Sequence, residues 1–346
     1  MEIEKVIDYL KNYNGNPIKI MEVCGTHTAS IFNSGIRTLI SDKIKLISGP
    51  GCPVCVTPTA YIDKCIEFAK VENHILLTFG DMMKVPGTNE SLSQAKGDGA
   101  KVELMYSPFE AIEKAKKNPQ TTYAIAAVGF ETTVPMYALV IEEAIKNNIK
   151  NIKLLTALKT IIIPLDWICN AEPDIDAFIC PGHVSVIIGS DAYNELAKKY
   201  KKPFVVAGFS GEHILAAIYD IIKQLEEKDG ESHNLYKNAV SSKGNVKAQE
   251  IIKEYFKEDA AVWRGLGRIE GSGLYLKDEF SDYDGGSFGL DYDTKLPEAC
   301  KCAQVIIGRI NPNECPMFKV NCNPTNPFGP CMVSSEGACG IWYKTS

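Results

Sequence analysis

From about residue 17 to residue 225, short apolar runs alternate with stretches in which apolar positions recur every three or four residues. The runs at 18–23, 44–48, 74–79, 101–106, 123–128, 152–158, 177–180 and 203–207 predict strands. The periodic stretches at 57–70, 108–117, 134–147, 192–200 and 212–225 predict helices. Strands alternating with helices predict parallel sheets covered on both faces, so the fold class is α/β. Eight strands sit better in two sets of four than in one very wide sheet. A boundary is therefore expected near residue 110, between a first α/β domain (1–110) and a second, related one (111–240). The polar stretch 228–247 predicts a surface connection and 248–256 a last amphipathic helix. Residues 263–292, rich in Gly, Asp and aromatics, predict turns and short strands. The remainder, 241–346, is expected to form a smaller cysteine-rich domain.

Composition narrows the function. A net charge of -6 leaves no basic footprint for nucleic acid. The N-terminus lacks the pattern of a secretory signal, and no apolar run approaches the about 20 residues that a membrane span needs. A cytoplasmic protein is expected, without membrane or nucleic-acid partners. In that compartment thiols stay reduced, so the 12 cysteines read as ligands or redox groups rather than as structural disulfides.

The chemistry gathers where strands are expected to end, which is where open parallel sheets bind ligands. The first strand runs into Cys24-Gly25-Thr26-His27-Thr28 and the second into Gly49-Pro50-Gly51-Cys52-Pro53-Val54-Cys55. Cys52 and Cys55 form a CxxC, able to close a disulfide or bind one metal, placed just before a helix start that would lower a thiol pKa. Cys24 with His27 reads as a soft metal-ligand pair or a nucleophile with its base, against the bland alternative of a packed thiol and a satisfied imidazole. Glu131 in Gly129-Phe130-Glu131-Thr132-Thr133 and His183 in Pro181-Gly182-His183-Val184-Ser185 gain weight from lying at equivalent strand ends. Cys65, Cys169 and Cys180 read as packed thiols. Six more cysteines fill the tail, at 300, 302, 315, 322, 331 and 339. Cys302, Cys315, Cys322 and Cys339, separated by twelve, six and sixteen residues within a Pro- and Asn-rich frame, favour an iron-sulfur cluster over a zinc ribbon. Cys300 and Cys331 are left as spares. No phosphate-binding glycine motif follows a strand, so neither ATP nor NAD use is expected.

The motifs CGTHT, GPGCPVC, GFETT, PGHVS and WRGLG and the six-cysteine tail, in this order over about residues 20 to 342, resemble the HypD family of hydrogenase maturation factors. The resemblance implies two related α/β domains and a smaller part carrying a 4Fe-4S cluster. It implies a maturation scaffold rather than a conventional enzyme. With a small HypC-type partner, such a scaffold holds an iron atom that receives cyanide, delivered through a HypE-type partner, and carbon monoxide, and then passes to the large subunit of NiFe hydrogenase. Cys24 matches the cysteine that holds this iron, with His27 in the same motif. Cys52 and Cys55 match the thiol pair that exchanges electrons with the cluster. Two rival readings are a free-standing iron-sulfur and dithiol oxidoreductase, and a zinc-stabilised binding protein.

Overall fold

The computed structural model describes residues 2–290, 292 and 299–345. Its strands in chain order are β1 (Ile18–Glu22), β2 (Ile44–Ser48), β3 (His74–Thr78), β4 (Val102–Leu104), β5 (Thr122–Gly129), β6 (Ile152–Lys159), β7 (Ala177–Pro181), β8 (Phe204–Ala207), β9 (Ser232–Asn234), β10 (Phe256–Trp263) and β11 (Gly267–Leu276). All eight expected strands are present, and the fold is α/β.

The strands form two sheets. One has the order β2-β1-β7-β8-β9 and is parallel throughout; the other has the order β10-β11-β6-β5-β3-β4, with β10 and β11 antiparallel. Each sheet does hold four of the expected strands, but the first sheet's four are not consecutive in the chain. The chain starts the first sheet, crosses to build β3 to β6 of the second, then returns for β7 and β8. The boundary expected near residue 110 falls inside the second sheet, between β4 and β5. Parallel pairing explains why periodicity does not reveal this: a crossover can join neighbours across any length of chain, whereas a hairpin cannot.

The central strands are buried on both faces, which suits their continuous apolar runs. All of β5 after Thr122 is buried, and so are all residues of β7 and β8. Two further strands depart from expectation. β9 lies within the polar stretch 228–247 and extends the first sheet at its edge. The helix expected to end at 256 ends at Tyr255, and β10 begins at once, pairing with β11 to cover the far side of β6. Residue 291, within the stretch expected to form turns, lies outside the described residues.

One apolar core runs from the inner face of the first sheet (Met21, Phe178) through the second (Leu76, Trp263) into the tail (Cys302, Ile306, Cys331, Cys339). The tail consists of turns and short helices, among them Cys302–Ile306, Pro330–Val333 and Ala338–Thr345. It is tied to both sheets. Arg309 pairs with Glu172 at 2.7 Å, Trp342 stacks edge-on against Phe32 at 4.9 Å, and Ser334 and Ser335 donate to Asp81.

Candidate functional site

Cys24 stands two residues beyond the end of β1, as N-cap of the helix Gly25–Asn33. The strand fixes its backbone, and a buried carboxylate underneath fixes the turn. Glu22 accepts the Cys24 amide at 3.2 Å and the Thr28 hydroxyl. Burial raises the Glu22 carboxyl to a pKa of about 7. The Cys24 thiol is 7 % exposed, and burial pushes it up to about 11. The Thr26 and His27 amides lean toward its sulfur and favour the thiolate, without closing a cap hydrogen bond.

Two glycines bring the other motifs against this turn. A β-carbon on Gly51 would stand 2.5 Å from the Cys24 amide nitrogen, and one on Gly25 would collide with the Glu336 carbonyl of the tail. The loop after β2, carrying Cys52 and Cys55, can therefore lie directly on Cys24, with the tail closing over both. Cys52 and Cys55 are joined in a disulfide, and the Cys55 amide donates to the Cys52 sulfur at 3.2 Å. Gly25, Thr28, Cys52, Cys55, Cys331 and Glu336 line one narrow cavity between these segments. Glu336 is half-buried, and that burial holds its carboxyl above the usual range.

One nitrogen of His27 is engaged away from Cys24. Its Nε2 donates to the Gly208 carbonyl at 3.1 Å, its ring packs on Phe209 at 4.8 Å, and burial lowers its pKa to about 4, so the ring is neutral. His183 is exposed and stacks on the other side of the neighbourhood, its ring 4.0 Å from that of Phe209. Phe209, unremarked in the sequence, thus links both motif histidines. In the same PGHVS segment the buried Ser185 hydroxyl donates to the Pro181 carbonyl and meets the Tyr193 hydroxyl at 3.0 Å. Tyr193 is wholly buried, close enough to Glu131 and Cys24 for both charges to act on it. Glu131 lies two residues beyond the end of β5. One of its oxygens accepts the Ile161 amide at 2.8 Å, and burial raises its pKa to about 7. Cys65, Cys169 and Cys180 are packed thiols whose pKa values burial raises.

The tail cysteines converge. Cys331 makes thiol contacts with both Cys302 and Cys339, so this spare of the sequence reading lies at the centre of the group. Amides donate to the sulfurs: Lys301 to Cys315 and Phe328 to Cys322, each at 3.4 Å, and Cys339 to Cys331 at 3.3 Å. Cys300 is the half-exposed member. Arg264, only 1 % exposed, donates from its backbone to Val56 and from Nη2 to Pro86, and its charge favours the Cys302 thiolate. An arginine directly after tryptophan at the end of an apolar run, in the WRGLG motif, was the signal for it. Among the described residues no three His, Cys, Asp or Glu side chains are spaced to hold a single metal ion. A cluster differs, since each of its thiolates binds a different iron. Buried thiols in mutual contact, with amide donors aimed at the sulfurs, fit a cationic iron-sulfur centre.

Fold and site together define an α/β protein in which three separate thiol groups meet between two sheets. The family model described as the hydrogenase formation hypA family, HypD, matches residues 1–346. The chain is 40% identical to the hydrogenase maturation factor HypD of Escherichia coli strain K12 over 334 residues, covering 95% of this chain and 89% of that protein. It is 39% identical to the factor of the same name from Rhodobacter capsulatus over 352 residues, covering 99% and 93%. The chain belongs to the HypD family.

Proposed function

We propose that this protein serves hydrogenase maturation as the scaffold on which an iron atom gains its cyanide and carbon monoxide ligands before transfer to the large subunit of NiFe hydrogenase. The observation that carries this reading is the single cavity shared by the Cys24 turn, the Cys52–Cys55 pair and the tail. Iron is the cargo. Cys24 and a cysteine of a HypC-type partner hold it, with cyanide arriving through a HypE-type partner. Thiolate is the donor that suits soft, low-spin iron. A thiol held near 11 keeps its proton until a cation displaces it, which leaves Cys24 unreactive until iron is presented. His27 and His183, packed on Phe209 from either side, hold the neighbouring motifs together rather than removing that proton.

The tail thiols Cys302, Cys315, Cys322 and Cys339 would hold a 4Fe-4S cluster, which supplies single electrons when bound. The Cys52–Cys55 pair takes up or releases two electrons as it opens and closes. Arg264 favours the anionic form of the sulfur next to it, and Glu22 holds the Cys24 turn in place. The test is co-purification with a HypC-type partner under anaerobic conditions. The complex is expected to carry iron beyond the cluster's own, and Cys24→Ala to lose that fraction while keeping the partner. Equal iron in both complexes would refute the scaffold reading.

A further inference from the structure

The helix Gly25–Asn33, whose N-cap is Cys24, is held by the tail at both ends. At its start Gly25 packs against the Glu336 carbonyl, where a β-carbon would stand 2.2 Å away. At its end the Phe32 ring meets Trp342 edge-to-face at 4.9 Å. Trp342 is 8 % exposed and lies about one turn beyond Cys339 on the tail's last helix, Ala338–Thr345. The Arg37 guanidinium completes the contact, 5.0 Å from the Trp342 ring and 5.3 Å from the Phe32 ring. Its Nη1 donates to the Leu46 carbonyl of β2 at 3.0 Å, and its Nε is buried with no acceptor among the described residues. The two rings therefore stabilise a cation whose hydrogen bonds are only partly made. The same charge acts on Glu22, the carboxyl that holds the Cys24 amide and the Thr28 hydroxyl.

We propose that Trp342 is a positioning residue for Cys24. Through Phe32 and Arg37 it fixes the helix that begins at this thiol, so the iron site is set only while the cysteine-rich tail is docked. This rests on the reading of Cys24 as the iron ligand. Removing the indole leaves Phe32 and the guanidinium without a common partner, and the helix loses the tail's grip at its Phe32 end. The Cys24 residue is 7 % exposed because the helix, the loop after β2 and the tail are all in place. A shift of the helix therefore shows first as access to this thiol. Local opening of this kind changes the reactivity of one buried group without unfolding the molecule.

The test follows alkylation of Cys24 by iodoacetamide in the full-length chain, purified anaerobically, with mass spectrometry reporting the rate at that residue. Trp342→Ala is expected to raise the rate about tenfold and Trp342→Phe to restore it, since a phenyl ring still meets Phe32 and Arg37. Arg37→Gln should raise it as well, and carries the test if the tail of Trp342→Ala no longer resists protease. Arg309→Ala cuts a different tie of the tail, the pair with Glu172 at 2.7 Å, and is expected to leave Cys24 as slow as in wild type. An unchanged rate in Trp342→Ala overturns the proposal, and so does an equal rise in Arg309→Ala, which would show a general loosening of the tail. Iron held by the complex with a HypC-type partner separates the proposal from the reading beneath it. Loss of the scaffolded iron is expected in both Cys24→Ala and Trp342→Ala. Loss in Cys24→Ala alone keeps the scaffold reading and overturns the positioning role, whereas no loss in Cys24→Ala removes both.

Discussion

Glu131 closes β5 with one oxygen holding the Ile161 amide and the other buried without a partner among the described residues. The cost of ionising it appears in its pKa of about 7. A carboxyl whose folded pKa lies above its unfolded value binds its proton more tightly when folded. Its contribution to stability is complete below the unfolded value of about 4.3 and is lost as pH rises through about 7. The size of the shift puts that loss at about 3 kcal/mol, and Glu22 acts in the same direction. Urea unfolding is therefore expected to show wild-type stability falling as pH rises from about 4.3 to about 7, and Glu131→Gln to remove about half of the fall. An unchanged slope in the variant would show that Glu131 is ionised at little cost. The GFETT motif marked this residue, but nothing in the sequence showed that its partner would be the amide that starts the helix after β6.

Between elements, contact is governed by glycine as much as by cysteine. Gly51 lets the CxxC loop rest on the Cys24 turn, where any side chain would meet backbone. Gly51→Ala is expected to cost about 1–3 kcal/mol by overpacking and to push the two thiol sites apart. Thermal unfolding should show the loss, and the variant should retain less scaffolded iron than wild type. Full stability with full iron retention would mean that the loop and turn can separate without consequence. Element by element, the strands were legible because each is a buried apolar run of the right length. β10 was not, because the run Ala260–Ala261–Val262–Trp263 follows a helical pattern without a Gly or Pro to mark the change. The place of Cys331 was out of reach for a related reason. Spacing along the chain identifies four cysteines that can wrap a centre, but the fold of a turn-rich tail decides which sulfurs touch, and it places Cys331 between Cys302 and Cys339.

Across the whole molecule, the division of the chain between two sheets puts β1, β2 and β7 on one side of the site and β5 on the other, with the tail sealing the space between. This arrangement was out of reach of periodicity, since the apolar runs that predict the parallel strands look alike whichever sheet they join. Because the tail also belongs to the common core, losing a ligand there should be felt beyond the metal. Cys315→Ala and Cys322→Ala are each expected to abolish visible absorption and to expose the tail to proteolysis, as metal-binding energy is partly folding energy. Normal iron and sulfide content in both variants would remove these residues from the ligand set. The scaffold itself is tested most directly by infrared absorption of the anaerobically purified complex with a HypC-type partner. Wild type is expected to show bands of iron-bound cyanide and carbon monoxide. Cys24→Ala and Cys24→Ser should lack them while keeping the visible absorption of the tail, since a neutral hydroxyl is a poor donor to soft iron. Bands of normal intensity in either variant would contradict the assignment of Cys24 as the ligand that holds the iron.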